Sequence, residues 1–134
     1  MGAWDFSVFD DDSACDALDE LKEAEDIISL MEDYFERASE GDYLEYDDGC
    51  CILAAAAVMD SVLNGTVYSC YDEEYEDWIQ SLKQFDFSPL KDRAVKAVEA
   101  VMAENSELRE LWEENEELYE KWLEEKTAIC KRLQ

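Results

Sequence analysis

The sequence contains no histidine, and its four glycines stand alone at positions 2, 41, 49 and 65. The lack of histidine excludes a Ser-His-Asp triad, a Cys-His pair and a histidine-based zinc site. Isolated glycines exclude the glycine-rich loops that bind nucleotide phosphates. Carboxylate pairs are so abundant that none of them points to general acid–base chemistry. We therefore expect a protein that is not an enzyme and that uses no cofactor.

Proline is also scarce, with one residue in a chain of 134. Few prolines and glycines mean few chain breaks, which favours helices over a turn-rich sheet protein. Hydrophobic residues make up 48% and aromatic residues 12% of the chain, which is enough for a buried core. A chain of this length typically folds as one domain. The sequence therefore predicts an all-α fold with a single domain over residues 1–134.

The cysteines do not have the pattern of a disulfide framework. Their number, five, is odd, and no Cys-x-x-Cys pair occurs. The N-terminal segment has neither the basic nor the apolar region of a signal peptide. The longest apolar run, residues 50–59, is too short to span a bilayer. These features predict a soluble cytoplasmic protein with reduced thiols and without a membrane segment.

Basic residues are few: 11 against 37 acidic residues, which gives a net charge of −26. The imbalance is largest in residues 1–67, where 19 acidic residues face two basic ones. Direct binding to nucleic acid or to an anionic membrane would oppose this charge. We therefore expect a basic protein as the partner.

Apolar spacing predicts five or six helices around one central helix. Residues 49–63 are apolar on almost every face, so this helix is expected in the middle of the protein. The alternating aromatic stretch at residues 1–9 is expected to be an extended arm packed on the helices. Residues 14–38 predict either one long helix or two helices with a break at residues 24–26.

The last helix is expected to run from Ser106 to Leu133. At 1.5 Å per residue it is about 40 Å long, which exceeds the body of a domain of this size. Its apolar seam includes Asn115, and an asparagine on such a seam can set the register of paired helices. The helix therefore either packs along the whole domain or projects and pairs with a second copy as a homodimer.

Three segments resemble one bacterial family, which is called domain of unknown function 4259. In the N-terminal segment MGAWDFSVFDDDSACDALDEL the matching positions are Trp4, Phe9, Asp10, Asp12 and Asp16. Residues 43–45 and the segment SELRELWEE at residues 106–114 are also similar to the family. Two glycines of the family are Asp5 and Ser7 here. The resemblance implies a small, acidic, helical bacterial protein and implies no particular activity.

Two acidic clusters are the candidate contact residues. One is the glutamate column of the last helix, whose members recur three or four residues apart: Glu110, Glu113, Glu114, Glu117, Glu120 and Glu124. The other is the aspartate cluster: Asp10, Asp11 and Asp12. The aspartates begin like a calcium loop, but Ala14, Cys15 and Leu21 occupy positions where that loop needs an oxygen ligand, glycine and glutamate. We therefore expect no specific metal site.

Such surfaces suit a non-enzymatic binding protein that occupies a basic partner. The column roughly approaches the spacing of phosphates along a nucleic-acid strand, so mimicry of nucleic acid against a nuclease or a CRISPR effector is one version. An immunity protein against a basic toxin is another. The alternative function is assembly, in which the last helix pairs two copies and the acidic surface is only solvated.

Overall fold

In the computed structural model, residues 8–10, 12–39, 43–68 and 73–134 are described. Over these residues the chain forms seven α-helices and no strand. The helices are α1 (Asp12–Glu23), α2 (Ile27–Glu36), α3 (Tyr46–Asn64), α4 (Tyr75–Leu82), α5 (Lys91–Val101), α6 (Glu107–Glu113) and α7 (Tyr119–Leu133). One-turn 3-10 helices occur at Val8–Asp10, Arg37–Ser39 and Ser88–Leu90. The all-α prediction is confirmed.

Helix α3 is the centre of the molecule, as its apolar sequence predicts. All six other helices pack against it. The four consecutive alanines Ala54–Ala57 are fully buried, and their small side chains let the neighbouring helices approach closely. The helix ends at Asn64, where Gly65 adopts a φ of 72°, a left-handed conformation that favours glycine. The apolar run of residues 50–59 lies inside this helix, and no described helix is long and apolar enough to cross a membrane.

The segment between α1 and α2 settles an alternative that the sequence left open. Helix α1 ends at Glu23 and α2 begins at Ile27, so residues 14–38 do not form one continuous helix. Asp26 is the N-cap of α2, and its Oδ1 accepts a hydrogen bond from the Ser29 amide at 3.1 Å. An aspartate cap of this kind starts a new helix because it satisfies a free amide of the first turn. The result is a sharp acidic turn on the surface.

The predicted aromatic arm is described only at its end, because residues 1–7 lie outside the described part of the chain. Val8 and Phe9 are each 2% exposed. The ring of Phe9 packs edge-on against Tyr68 and Tyr75, with ring centroids 6.0 and 5.7 Å apart. These two residues belong to the core. They form the start of a 3-10 helix and not an extended strand.

The prediction of one helix from Ser106 to Leu133 is wrong, because α6 ends at Glu113 and α7 begins at Tyr119. Asn115 stabilises the break: its Oδ1 accepts a hydrogen bond from the Leu118 amide at 3.2 Å. The break also lets Trp112 stack on Trp122, with ring centroids 6.2 Å apart and ring planes 16° apart. Asn115 itself is exposed and does not lie on a buried seam.

A buried polar cluster fastens the end of α7 to the end of α3. Asp60 is fully buried, and its Oδ2 accepts hydrogen bonds from the Tyr68 hydroxyl at 2.6 Å and from Arg132 Nε at 2.8 Å. Asn64 Nδ2 donates to Asp60 Oδ1 at 2.8 Å and to the Arg132 carbonyl at 3.0 Å. A buried carboxylate is tolerated only when it is paired and hydrogen-bonded. This cluster meets that requirement.

Candidate functional site

The structure divides the glutamate column between several elements. Glu110 and Glu113 are on α6, and Glu120 and Glu124 are on α7. Glu114 is the C-cap of α6, and Glu117 lies in the connection that follows. All six glutamates are exposed, as expected. They do not form a row on one helical face, because the chain turns between α6 and α7.

Two glutamates of the column are bound within the chain. The hydroxyl of Tyr43 donates a hydrogen bond to Glu110 Oε2 at 2.8 Å. This bond raises the pKa of Tyr43 to about 12, because it favours the protonated hydroxyl. Arg109 Nε lies 2.7 Å from Glu113 Oε1. A partner that binds at these glutamates must therefore compete with bonds that already exist.

The aspartate cluster is described only in part. Asp11 lies outside the described residues, and Asp10 is the last residue of the first 3-10 helix. Asp12 is the first residue of α1 and is exposed. Its carboxylate is in the first turn, where negative charge suits the helix dipole. The binding role predicted for these aspartates stays a prediction.

The structure has an acidic feature that the sequence did not predict. It is an open groove of about 650 Å³ between α1 and α2, which we call the acidic groove. Its acidic lining residues are Glu20, Glu23, Glu25, Asp26 and Asp33. Ala24, Ser29 and Leu30 complete the described lining, which contains no basic side chain. Five acidic residues therefore line one shallow, open surface.

Hydrogen bonds and one ion pair hold three of these five carboxylates in place. The Tyr34 hydroxyl donates to Glu20 Oε2 at 2.5 Å, and Asp26 caps α2. Asp33 pairs with Arg37 NH2 at 3.2 Å. Glu23 and Glu25 are exposed, and within the described structure no hydrogen bond or ion pair engages either of them. The groove thus has three carboxylates that are bonded within the chain and two exposed carboxylates, Glu23 and Glu25, that a ligand can contact.

One signal in the sequence points to this region: the charge of residues 1–67, with 19 acidic and two basic residues. The groove itself depends on the turn at residues 24–26, which folds α2 back beside α1. Helical periodicity left that turn undecided. The carboxylates on the two sides of the turn could therefore not be assigned to one surface.

Beside the groove lies a second cluster that has the residue types of a reactive site. The Arg37 guanidinium is 5.0 Å from the Tyr34 ring centroid, 3.3 Å from Asp48 Oδ1 and 3.6 Å from Cys51 Sγ. Burial raises the pKa of the Cys51 thiol to about 11, although Arg37 opposes the shift. The thiol is therefore protonated at neutral pH, and a protonated thiol is a poor nucleophile.

The described residues contain no group of three or more cysteine, aspartate or glutamate side chains arranged to hold a metal ion. No disulfide joins the four described cysteines, at positions 15, 50, 51 and 130. The five acidic residues of the acidic groove are spread over α1, the turn that follows it and α2.

Comparison with known proteins gave one match. A family model described as a domain of unknown function (DUF4259) matches residues 2–125. Neither the curated proteins nor the solved structures gave a match to the chain. The matched residues include the acidic groove, the central helix and the whole glutamate column. Since the match extends over nearly the whole length, the chain belongs to the DUF4259 family.

Proposed function

We propose that this protein is a non-enzymatic, cytoplasmic binding protein whose acidic groove binds a basic surface of a partner protein. The observation that carries the proposal is the grouping of five acidic residues around one shallow, open groove, without a basic side chain in its described lining. A guanidinium or ammonium group that entered the groove would meet several acceptors at once. Charge-assisted hydrogen bonds of this kind are about twice as strong as neutral ones.

The whole molecule supports the same proposal. A net charge of −26 steers a basic protein toward any acidic patch and speeds their encounter. Contacts within the groove would then make the partner bind there and not elsewhere on the acidic surface. The two exposed glutamates of the groove, Glu23 and Glu25, are engaged by no hydrogen bond or ion pair within the described structure, so a partner can bind them without displacing an existing contact.

The concrete versions of this function are inhibition of a nuclease or a CRISPR effector and immunity against a basic toxin. Mimicry of nucleic acid was inferred from a regular glutamate column, and that column is divided between α6 and α7. The acidic groove instead suits recognition of basic side chains on a protein surface. The groove therefore favours an immunity protein or an inhibitor that binds basic side chains directly, and such a protein needs no regular row of carboxylates that resembles phosphates.

Assembly through the last helix is the second candidate function, but it has less structural support. It requires an apolar seam on α7 that is available to a second copy. Ile129 and Leu133 are fully buried within the chain, and α7 packs against α3 and α5. Light scattering of the purified protein tests this candidate, because a stable dimer would favour assembly over the binding function.

Affinity capture tests the proposed function. The protein is immobilised at low salt, exposed to an extract of its native host and eluted with a salt gradient. We expect a basic protein to be enriched and to elute as the salt concentration rises, because screening weakens exposed charge contacts. Enrichment of neutral or acidic proteins alone, or binding that does not respond to salt, would contradict the proposal.

A further inference from the structure

A second groove, between α2 and α5, differs from the acidic groove in its chemistry. We call it the α5 groove; it has a volume of about 350 Å³. Its apolar surface comes from Phe35 and from three alanines, Ala38, Ala97 and Ala100. Its rim carries Arg93 and Lys96. The two grooves share no lining residue, although α2 contributes to both.

The helical spacing of α5 explains how this groove is built. Arg93 is three and four residues before Lys96 and Ala97, and Ala100 is four and three residues after them, so the four residues lie on one side of the helix. Across from them are the end of α2 and the 3-10 helix Arg37–Ser39. Alanines on both sides leave the space between these elements unfilled. A volume of 350 Å³ is within the range of small-molecule pockets, which are about 300–1,000 Å³.

The charge of the rim is unusual for this molecule. The chain has 11 basic residues in total, and two of them border this one apolar groove. Arg93 NH1 lies 3.1 Å from Glu32 Oε2, in an exposed ion pair beside the groove. A guanidinium has five N–H donors, so this bond leaves donors for a further carboxylate or phosphate. Lys96 is exposed at the same rim.

From this arrangement we propose that the α5 groove binds a small amphipathic anion, a molecule with an apolar body and one carboxylate or phosphate group. The apolar body packs on Phe35 and the alanines, and the anionic group lies between Arg93 and Lys96. The rim also includes Glu36, which opposes an anion. We therefore expect the affinity for the anion to fall when the charge of Lys96 is removed and to rise when the charge of Glu36 is removed. This site is independent of the basic partner proposed above.

Nuclear magnetic resonance titration of the full chain with octanoate tests the proposal. The expected result is a set of saturable amide shifts confined to the residues that line the α5 groove. Octyl phosphate is the second anionic probe. Whichever of octanoate and octyl phosphate binds more tightly shows whether the groove prefers a carboxylate or a phosphate group. Octan-1-ol is the neutral control, and octylammonium is the cationic control. We expect both controls to bind more weakly than the anions at this groove.

Four variants make the test specific. Lys96→Gln should raise the dissociation constant of octanoate by about threefold to fivefold, which is the size of an exposed charge contact. Glu36→Gln should lower it by about twofold. Ala100→Leu should abolish the groove shifts because the larger side chain fills the space, while circular dichroism and thermal unfolding show that the chain remains folded. Lys121→Gln, an exposed lysine on α7, is the matched control and should change nothing.

Three results would overturn the proposal. The first is the absence of saturable groove shifts with both anionic probes. The second is an equal effect of Lys96→Gln and Lys121→Gln, which would mean that only the overall charge matters. The third is tighter binding of octylammonium at this groove, or weaker octanoate binding in Glu36→Gln, since either would indicate a cationic ligand.

Discussion

At the scale of single residues, the structure depends on a few buried polar side chains in a mostly apolar core. Asp60 is fully buried and is held by Tyr68, Asn64 and Arg132. Lys126 is 1% exposed, and its Nζ lies 2.5 Å from Glu125 Oε1. A buried charge is costly when its partner is removed. These contacts therefore mark positions where a single substitution has a large effect on stability.

The Asp60 cluster gives the first prediction. Tyr68→Phe removes one of the hydrogen bonds to a buried carboxylate and should lower the free energy of unfolding by about 1–2 kcal/mol. Tyr43→Phe is the matched control, because the same atom is removed from a bond to the exposed Glu110. Its cost should be much smaller, because water replaces the lost hydrogen bond at an exposed site. Urea unfolding of both variants measures the difference, and equal costs would contradict the role given to Asp60.

The thiols of Cys51, which is partly buried, and of Cys130, which is buried, give a prediction about alkaline pH. Burial raises the pKa of both Cys51 and Cys130 from 9.0 to about 11. A raised pKa in the folded state means that the folded chain holds these protons more tightly than the unfolded chain. The resulting stability is complete below pH 9 and is lost as the pH rises toward 11.

Unfolding free energies measured across this alkaline range therefore test the prediction. Wild type should lose stability between pH 9 and 11, and the Cys51→Ala, Cys130→Ala double variant should lose less. Comparing the slopes of the two proteins separates the thiols from other groups that titrate in the same range. Parallel slopes would show that the two thiols do not contribute.

At the scale of helices, the close contact between α3 and α6 depends on one glycine. A Cβ atom added at Gly49 would lie 2.7 Å from Leu108 Cδ1, which is too close for an unstrained contact. At Gly65 an added Cβ atom would meet nothing within 4 Å, but the φ of 72° disfavours any other residue. The two glycines are thus required for different reasons: space at Gly49 and backbone conformation at Gly65.

Alanine substitutions at Gly49 and Gly65 distinguish the effect of limited space from the effect of backbone conformation. Gly49→Ala should cost about 1 kcal/mol in the wild-type chain because the clash with Leu108 outweighs the gain in helix propensity. In a Leu108→Ala background the same change should stabilise by about 0.5–1 kcal/mol, since only the helix gain remains. Gly65→Ala should cost about 1 kcal/mol in both backgrounds. A double-mutant cycle from denaturant unfolding measures the coupling, and additive costs at Gly49 would contradict the packing account.

Helices with a strong apolar pattern were predictable from sequence, while breaks made by side-chain bonds were not. The central position of α3 follows from residues 50–59, which are apolar all round. The break between α6 and α7 depends on Asn115 and on the stacking of Trp112 against Trp122. The apolar spacing of Leu111, Leu118 and Trp122 continues through that region, so it is compatible with one helix as well as with two. Only the tertiary contact distinguishes one long helix from two short ones.

At the scale of the whole molecule, the net charge of −26 acts on stability as well as on binding. Like charges on a compact surface repel each other, and unfolding relieves this repulsion. Raising the NaCl concentration from about 20 mM to about 500 mM shortens the screening length several-fold. The Tm should therefore rise by several degrees over this range. A Tm that falls or stays constant, measured by calorimetry, would mean that the repulsion does not limit stability.

The acidic character of the binding surface was predictable from composition, but its location was not. The sequence places most of the excess charge in residues 1–67, and the acidic groove lies there. The glutamate column drew attention because its spacing is regular. Regular spacing in sequence becomes a row in space only if the helix is continuous. The groove instead arises from a turn between two helices, which brings together carboxylates of irregular spacing.

The central claim, that the acidic groove contacts a basic partner, is tested most directly by two matched double variants. Glu23→Gln with Glu25→Gln removes two exposed charges from the groove, and Glu114→Gln with Glu117→Gln removes two exposed charges from the column. Binding of the captured basic protein to each variant is measured by calorimetry at low salt. The groove variant should weaken binding by about tenfold or more, while the column variant changes it by less than about threefold. Equal weakening by both pairs, or a larger effect of the column pair, would contradict the assignment of the groove as the contact surface.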